Sequence, residues 1–267
     1  MQEYFDKNKE LWNAKVPIHV KSELYDMQAF LAGKSSLDKA SLSHLGDIKG
    51  KKVLHLQCHF GQDSLSMARM GAKVTALDIS DVAIDKAREL NVQLGLDAKF
   101  VVCNLYDAKE HIQEKFDIVY TSYGTIAWLP DLNKWADIIH HFLVPGGKLV
   151  FLEFHPVLDM LNWDNCNFEY DYFKTKEPYL EITQGTYADP KADIKMKEYF
   201  WNHSMMEVIQ GLQSANLKLH TFQEYDYSPY DVFGAMTERA DREYIMNKMP
   251  VAFPYFYALV YLKHSRR

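Results

Sequence analysis

The sequence predicts an α/β fold of three layers, with helices on both faces of a mostly parallel sheet. Short, largely apolar segments alternate with segments of helical periodicity between residues 52 and 154, which is the pattern of buried strands joined by crossover helices. Gly71 and Gly95 follow two of these helical segments, and glycine commonly ends a helix. The chain of 267 residues is long enough for one such domain with an insertion.

Seven segments have the character of strands. They cover residues 52–57, 74–78, 100–103, 116–121, 148–154, 217–225 and 255–262. The clearest helix is predicted at 131–143, where an apolar stripe indicates packing against the sheet. Ser80 or Asp81 is expected to cap the helix after the second strand, and Ser204 the helix before the sixth. Residues 145–147, Pro-Gly-Gly, predict a tight turn before the fifth strand.

Less regular segments flank this pattern. Residues 1–45 precede the first strand and are interpreted as a helical cap over the carboxyl edge of the sheet, and residues 46–267 as the main domain. An insertion or lid is expected at about 155–200, which is rich in aromatic residues and lacks periodicity. Residues 228–254 are predicted to be rich in loops.

Composition limits the classes of partner. The formal net charge is −6 and no basic run is longer than Arg266–Arg267, so a nucleic-acid substrate is not expected. No apolar stretch approaches the roughly 20 residues of a membrane-spanning helix, and no secretory signal is recognisable. Cys58, Cys103 and Cys166 are far apart, which favours a reducing compartment and no metal site. We therefore expect a cytoplasmic protein, monomeric or homodimeric.

The candidate ligand site lies where the first two strands end. Ligands of open parallel sheets bind outside the carboxyl ends of the strands, and here the first strand is followed by the loop 57–63 and the second ends in Asp78. A carboxylate can accept hydrogen bonds from both hydroxyls of a ribose, so a nucleoside cofactor is indicated. The loop has a single glycine, Gly61, which disfavours a nicotinamide dinucleotide because its pyrophosphate usually requires a GxGxxG loop.

Four segments in register resemble the class I S-adenosylmethionine (SAM)-dependent methyltransferases. Residues 53–80 are similar to the first two motifs of that family, 116–119 to its fourth-strand motif, and 143–149 to its motif before the fifth strand. The resemblance covers about residues 45 to 155. It implies SAM as the cofactor, methyl transfer as the reaction, and an antiparallel last strand.

The resemblance also implies which residues contact SAM. These are the loop after the first strand, the acid that ends the second strand with its neighbour, and the residues after the third and fourth strands: Gln57, Cys58, His59, Gly61, Asp78, Ile79, Asn104, Leu105, Ser122 and Tyr123. Asp78 would hold the ribose and Ile79 would pack on adenine. Residues 104–105 would meet the adenine edge, and residues 122–123 would border the methyl group.

Three positions depart from the family pattern. Gln57 and His59 stand where the family has glycines, and His55 stands where it has an acid. Either Gln57 and His59 donate hydrogen bonds to the methionine carboxylate of SAM, or cofactor binding has been lost. His55 is interpreted as a core histidine.

A small-molecule acceptor is expected, because the aromatic insertion follows the fifth strand and no basic stripe is present. Glu153 and His155 end that strand and are candidate bases or acceptor-orienting groups. Aromatic and histidine side chains outside the motifs are candidates for pocket walls or a lid, with plain packing as the alternative: Trp12, His19, Tyr25, Tyr170, Tyr172 and Tyr230. A protein methyltransferase, a non-catalytic SAM-binding protein and a nicotinamide-dependent oxidoreductase are the alternative functions.

Overall fold

A computed structural model describes residues 1–162, 167–234, 236–247 and 252–264. The strands are β1 (Lys52–His55), β2 (Lys73–Asp78), β3 (Lys99–Val102), β4 (Phe116–Ser122), β5 (Leu143–Phe154), β6 (Tyr179–Gln184), β7 (Lys195–Phe200), β8 (Leu217–Tyr225), β9 (Thr237–Ala240), β10 (Glu243–Ile245) and β11 (Phe256–Lys263). The helices are α1 (Gln2–His19), α2 (Met27–Leu31), α3 (Lys39–Leu45), α4 (Gln62–Arg69), α5 (Asp81–Gln93), α6 (Ala108–His111), α7 (Leu132–Phe142) and α8 (Met205–Ser214).

The central sheet has seven strands in the order β3-β2-β1-β4-β5-β11-β8. The first five are parallel, and β11 runs antiparallel to both β5 and β8. The predicted seven-stranded, mostly parallel sheet with an antiparallel last strand is therefore confirmed. The strand order reverses between β1 and β4, so the exit loops of these strands diverge and leave a crevice at the carboxyl edge.

Helices cover both faces of the sheet, which confirms the three-layer prediction. One buried cluster joins α3, α4 and α5 to one face, and a second joins α6, α7 and α8 to the other. The apolar stripe of α7 is fully buried at Trp135, Ala136 and Ile139. The predicted caps are present as well, since Ser80 accepts a hydrogen bond from the Ala83 N–H at 3.0 Å and Ser204 from the Glu207 N–H at 3.2 Å.

The Pro-Gly-Gly segment differs from its prediction. Residues 145–147 lie inside β5, which already pairs through Leu143 with Phe116, and the register shifts before Ile118 pairs with Lys148. A Cβ at Gly147 would lie 2.9 Å from the Asp117 carbonyl oxygen. Gly147 is thus required because the two backbones approach closely. The predicted turn before the strand is replaced by an irregularity inside it.

Two hairpins occupy segments that were expected to be irregular. β6 pairs with β7 inside the predicted insertion, and β9 pairs with β10 inside the segment 228–254. Their alternation was not recognised because neither hairpin buries one face completely; Leu180 and Ile182 of β6 are exposed. Half-buried strands of this kind lack the apolar periodicity that sequence reading depends on.

The N-terminal helices bring residues to the carboxyl edge of the sheet. Asn8 of α1 exchanges two hydrogen bonds with the backbone of Tyr199 in β7, and Lys15 forms an ion pair with Glu198 at 3.2 Å. The helical character of this segment agrees with the prediction, while its division from the rest as a separate cap stays a prediction. No helix among the described residues is long and apolar enough to cross a membrane. Cys58 and Cys103 are free thiols, and Cys166 lies outside the described residues.

Candidate cofactor and acceptor site

A cavity of about 700 Å³ lies at the carboxyl ends of the parallel strands. It collects residues from the exit loops of the sheet, from the N-terminal helices and from the segment before β11. Many of the residues proposed from the sequence line it: Trp12, Tyr25, Gln57, Cys58, His59, Gly61, Asp78, Ile79, Asn104, Leu105, Ser122, Tyr123 and Tyr230. The candidate cofactor residues are therefore brought together in one place.

The loop after β1 has positive φ angles at three positions, although only one of them is a glycine. Gln57 and His59 have φ angles of 52° and 50°, and Gly61 has 80°. The left-handed conformation costs a non-glycine residue roughly 1–2 kcal/mol. A Cβ on Gly61 would lie 2.7 Å from the Phe100 ring, so glycine is required here by both conformation and space.

The side chains of Gln57 and His59 bond to the protein itself. The Gln57 amide donates to the Thr125 carbonyl oxygen at 2.9 Å, and His59 Nε2 lies 3.0 Å from His19 Nδ1. Burial lowers the pKa of His59 well below its usual value, so the ring is neutral. In this geometry the two side chains anchor the loop to the β4 exit and to α1. Both also line the cavity, and their bonding to the methionine carboxylate of SAM stays a prediction.

His55 is a core histidine, as interpreted. Its Nδ1 lies 2.7 Å from the Ser64 hydroxyl of α4, and its ring packs edge-on to Tyr120. Burial lowers its pKa to about 3, so it remains neutral between β1 and α4.

Asp78 has the geometry expected of a ribose-binding acid. It ends β2 and lines the cavity, and its two oxygens accept from the backbone N–H groups of His59 and Ser80, each at 2.8 Å. Each carboxylate oxygen has a second lone pair, so two further hydrogen bonds can be accepted. Burial raises the pKa of Asp78 to about 6.

The residues after β3 provide a hydrogen-bond donor and an apolar surface that suit a flat base. The Asn104 side-chain oxygen accepts from the Tyr106 N–H at 3.0 Å, which leaves the amide NH₂ as a donor. Leu105 and Ile79 add apolar surface to the same cavity. The indole rings of Trp12 and Trp128 meet edge-to-face at 5.3 Å beside it. These groups, together with Asp78, fit a nucleoside cofactor such as SAM.

Glu153 holds the loop after β4. Its buried carboxylate accepts from the backbone N–H groups of Gly124, Thr125 (2.7 Å), Ile126 (3.2 Å) and Phe154 (2.8 Å). With its oxygens used in this way, it is not among the described residues that line the cavity. The expectation that Glu153 faces an acceptor is not met; it positions the 124–126 loop that does line the site.

His155 and three lid candidates also lie elsewhere in the described part of the chain. His155 Nε2 pairs with Glu224 of β8 at 3.1 Å, away from the cavity. His19 is fully buried behind His59. Tyr170 packs on Tyr179 of the β6–β7 hairpin, and the Tyr172 hydroxyl accepts from the backbone N–H that begins α8. These four side chains have packing or positioning contacts, so the pocket-wall and catalytic expectations for them are not met.

The cavity is also lined by residues that sequence reasoning missed. Ser36, Asp38, Asp63, Tyr187 and Arg242 come from four separate segments and line it together. Asp63 is the last residue of the recognised loop 57–63, which was a usable signal. The other four had none, because only the fold brings them to the loop.

Comparison with known proteins supports the assignment from the motifs. A family model described as a methyltransferase domain matches residues 53–147. An uncharacterized methyltransferase from Synechocystis sp. is 26% identical over 184 residues, which are 68% of this chain and 84% of that protein. A ubiquinone biosynthesis O-methyltransferase from Photorhabdus laumondii is 33% identical over 110 residues, 41% of this chain and 45% of that protein. The chain thus spans less than half the length of that second relative.

Solved structures share the fold. The DhpI–SAH complex superposes with a TM-score of 0.59 at 15% identity and full coverage of both chains. An S-adenosylmethionine-dependent methyltransferase from Clostridium acetobutylicum superposes with a TM-score of 0.57 at 14% identity, covering 97% of this chain and 99% of that one. The motifs, the matched domain and the strand order agree: residues 53–147 match a methyltransferase domain, and the chain shares the fold of solved SAM-dependent methyltransferases.

Proposed function

We propose that this methyltransferase transfers the methyl group of SAM to a small molecule held in the same cavity as the cofactor. The observation that carries the proposal is that one cavity is lined by Asp78, by Ser122–Tyr123 and by Asp63 and Tyr230. Its volume of about 700 Å³ is within the roughly 300–1,000 Å³ typical of small-ligand pockets.

In this proposal the recognised residues bind SAM. Asp78 accepts hydrogen bonds from the ribose hydroxyls, and the Asn104 amide donates to the adenine edge. Ile79 and Leu105 pack on the adenine ring. The backbone of the loop 57–61 follows the methionine part.

The chain's own contribution to the reaction is positioning. SAM supplies a methyl carbon that its sulfonium has already activated. The β4 exit, held by Glu153 through residues 124–126, fixes the walls on either side of that carbon. Holding two reactants in line can supply several kcal/mol of the barrier reduction, so no proton transfer is assigned to Glu153 or His155.

We also propose the finer attributes of the protein. It would act in the cytoplasm as a monomer or homodimer, with residues 1–45 as a cap on a methyltransferase domain of residues 46–267. The net charge of −6 supports a substrate other than nucleic acid. The name of the ubiquinone biosynthesis relatives, which refers to a small-molecule pathway, supports a small acceptor.

Calorimetric titration with S-adenosylhomocysteine (SAH) tests the cofactor site. We expect wild-type protein to bind SAH and Asp78→Asn to bind about 100-fold more weakly, because two hydrogen bonds to a charged acceptor are weakened. Asp85→Asn is the matched control: it removes the same charge from the exposed surface of α5, where Asp85 pairs with Arg88. No binding by wild type, or equal binding by Asp78→Asn, contradicts the proposal.

A further inference from the structure

The carboxylate of Asp63 lines the cavity beside the β4 exit. Asp63 lies in the first turn of α4; one oxygen accepts from the Ser36 hydroxyl at 2.6 Å and the other from the Ser122 hydroxyl at 3.4 Å. Ser122 borders the transferred methyl group in the function proposed above. Asp63 therefore lies close to where the acceptor must be held.

Asp63 has no cation of its own. It forms no ion pair with any described residue of the chain. Arg242 lines the same cavity, but its guanidinium donates to the carbonyl oxygens of Ser36 (2.9 Å) and Leu37 (3.2 Å). Burial raises the pKa of Asp63 and the negative charge of Asp38 adds to this effect, while the Ser36 hydroxyl and the positive charge of Arg242 oppose it.

Two other carboxylates that line the cavity have partners within the chain. Asp38 accepts from the Ser41 N–H, the Ser41 hydroxyl and the Tyr123 hydroxyl, at 2.8–2.9 Å. Asp231 accepts from the backbone N–H groups of Phe233 and Met236 at 3.2 Å. These two acids accept from backbone N–H groups, whereas Asp63 accepts only from two hydroxyls, and each of its oxygens has a further lone pair for a ligand.

Three tyrosines share the cavity with Asp63. Tyr25, Tyr187 and Tyr230 all line the cavity, and the Tyr25 and Tyr187 hydroxyls bond to each other. The negative charge of Asp63 is among the causes that raise the pKa of both Tyr25 and Tyr230, which shows that the groups are near one another. The Tyr230 hydroxyl bonds to none of the described residues, so it is available to a ligand. Aromatic rings around a carboxylate are a favourable setting for a cation.

We propose that the acceptor is a small amine whose protonated nitrogen pairs with Asp63 in the cavity that these tyrosines line. That nitrogen has no lone pair, so it serves for recognition and the methyl group goes to another, nucleophilic atom of the acceptor. An anionic acceptor would be repelled by Asp63, and a neutral one would leave the carboxylate unpaired on desolvation. The inference rests on the proposed function and adds the charge of its substrate.

Three probes that share a ring but differ in the charge of the tail test it by calorimetry on SAH-saturated protein: tyramine, 4-ethylphenol and 4-hydroxyphenylacetate. We expect tyramine to bind wild type at least about tenfold more tightly than 4-ethylphenol, since a charged hydrogen bond is gained, and the acid to bind most weakly. Asp63→Asn should abolish the preference for tyramine while its Kd for SAH changes by less than about threefold. Asp63→Glu, which keeps the charge, and Asp85→Asn, which removes a distant one, should both retain the preference.

Three results would overturn the inference. The first is equal or tighter binding of the neutral or acidic probe by SAH-loaded wild type. In the second, Asp63→Asn weakens SAH as much as tyramine, which would assign Asp63 to the cofactor. In the third, Asp63→Glu loses the preference as fully as Asp63→Asn, which would attribute it to shape. Failure of wild type to bind SAH at all would instead contradict the proposed function.

Discussion

At the scale of single residues, the cofactor loop keeps its backbone and changes its side chains. Gln57 and His59 adopt the left-handed conformation at the positions where the family has glycine, at a cost of roughly 1–2 kcal/mol each. Hydrogen bonds to Thr125 and His19 offset this cost. The sequence identified the departure, but the direction of each side chain depends on partners 68 and 40 positions away.

Asp78 gives the first prediction, a pH-dependent affinity for the cofactor. Burial raises its pKa to about 6 in the free protein, and ribose hydroxyls bind the ionised carboxylate. Below pH 6 a proton must therefore leave before SAH binds, so the Kd for SAH should be nearly constant above pH 7 and rise about tenfold from pH 7 to pH 5. Calorimetry across this range measures it.

Two neighbouring histidines do not add to this titration. Burial holds the pKa of His19 at about 3 and that of His59 well below its usual value, so both stay neutral throughout the range. Asp78→Asn is the control and should show a flat, weaker affinity. A Kd that falls as the pH is lowered would have the wrong sign for a buried carboxylate and would reject this explanation.

At the scale of elements, α4 is fixed by the residue before it. Gly61 is the N-cap of α4 with a φ of 80°, and it lies against β3 and α5 through Phe100 and Ala87. The loop that would hold the cofactor thus depends on how closely α4 approaches its neighbours.

Gly61→Ala should destabilise the protein by about 2–4 kcal/mol, because backbone strain and a steric clash both apply. Gly50→Ala is a closely matched control: its φ is 75° and no atom lies within 4 Å of the new Cβ, so only the strain of about 1 kcal/mol is expected. Urea denaturation measures both. Equal losses would mean that the neighbours of Gly61 accommodate the methyl group.

Strand ends illustrate what an element contributes beyond its sequence position. Glu153 and His155 were correctly placed at the end of β5, yet one carboxylate binds the 124–126 loop and the other side chain pairs with β8. The strand pattern predicts which edge of the sheet a residue reaches. It does not predict whether the side chain points into the cavity or packs against a neighbouring strand.

At the scale of the molecule, the cofactor joins segments that are far apart in the chain. Helix α1, the loops after β1 to β4 and the segment before β11 all line the cavity, so a ligand there stabilises the whole fold. SAH at 100 times its Kd should raise the free energy of unfolding by about 2.7 kcal/mol, measured by urea denaturation. NAD at the same concentration should have no effect, because the loop lacks the glycines that a pyrophosphate requires; stabilisation by NAD alone would favour an oxidoreductase.

The sequence by itself determined the sheet, its helices, the cofactor loop and Asp78. Each is a local pattern, such as a buried strand, an apolar stripe or a motif in register, and local patterns can be recognised in the sequence alone. Only the tertiary structure decided that Gln57 and His59 bond to Thr125 and His19, and that Glu153 and His155 are not among the residues that line the cavity. It also brought Ser36 to the carboxylate of Asp63, and Tyr187 and Tyr230 to the same cavity. Such contacts depend on how distant segments pack, so they cannot be predicted from the periodicity of the sequence.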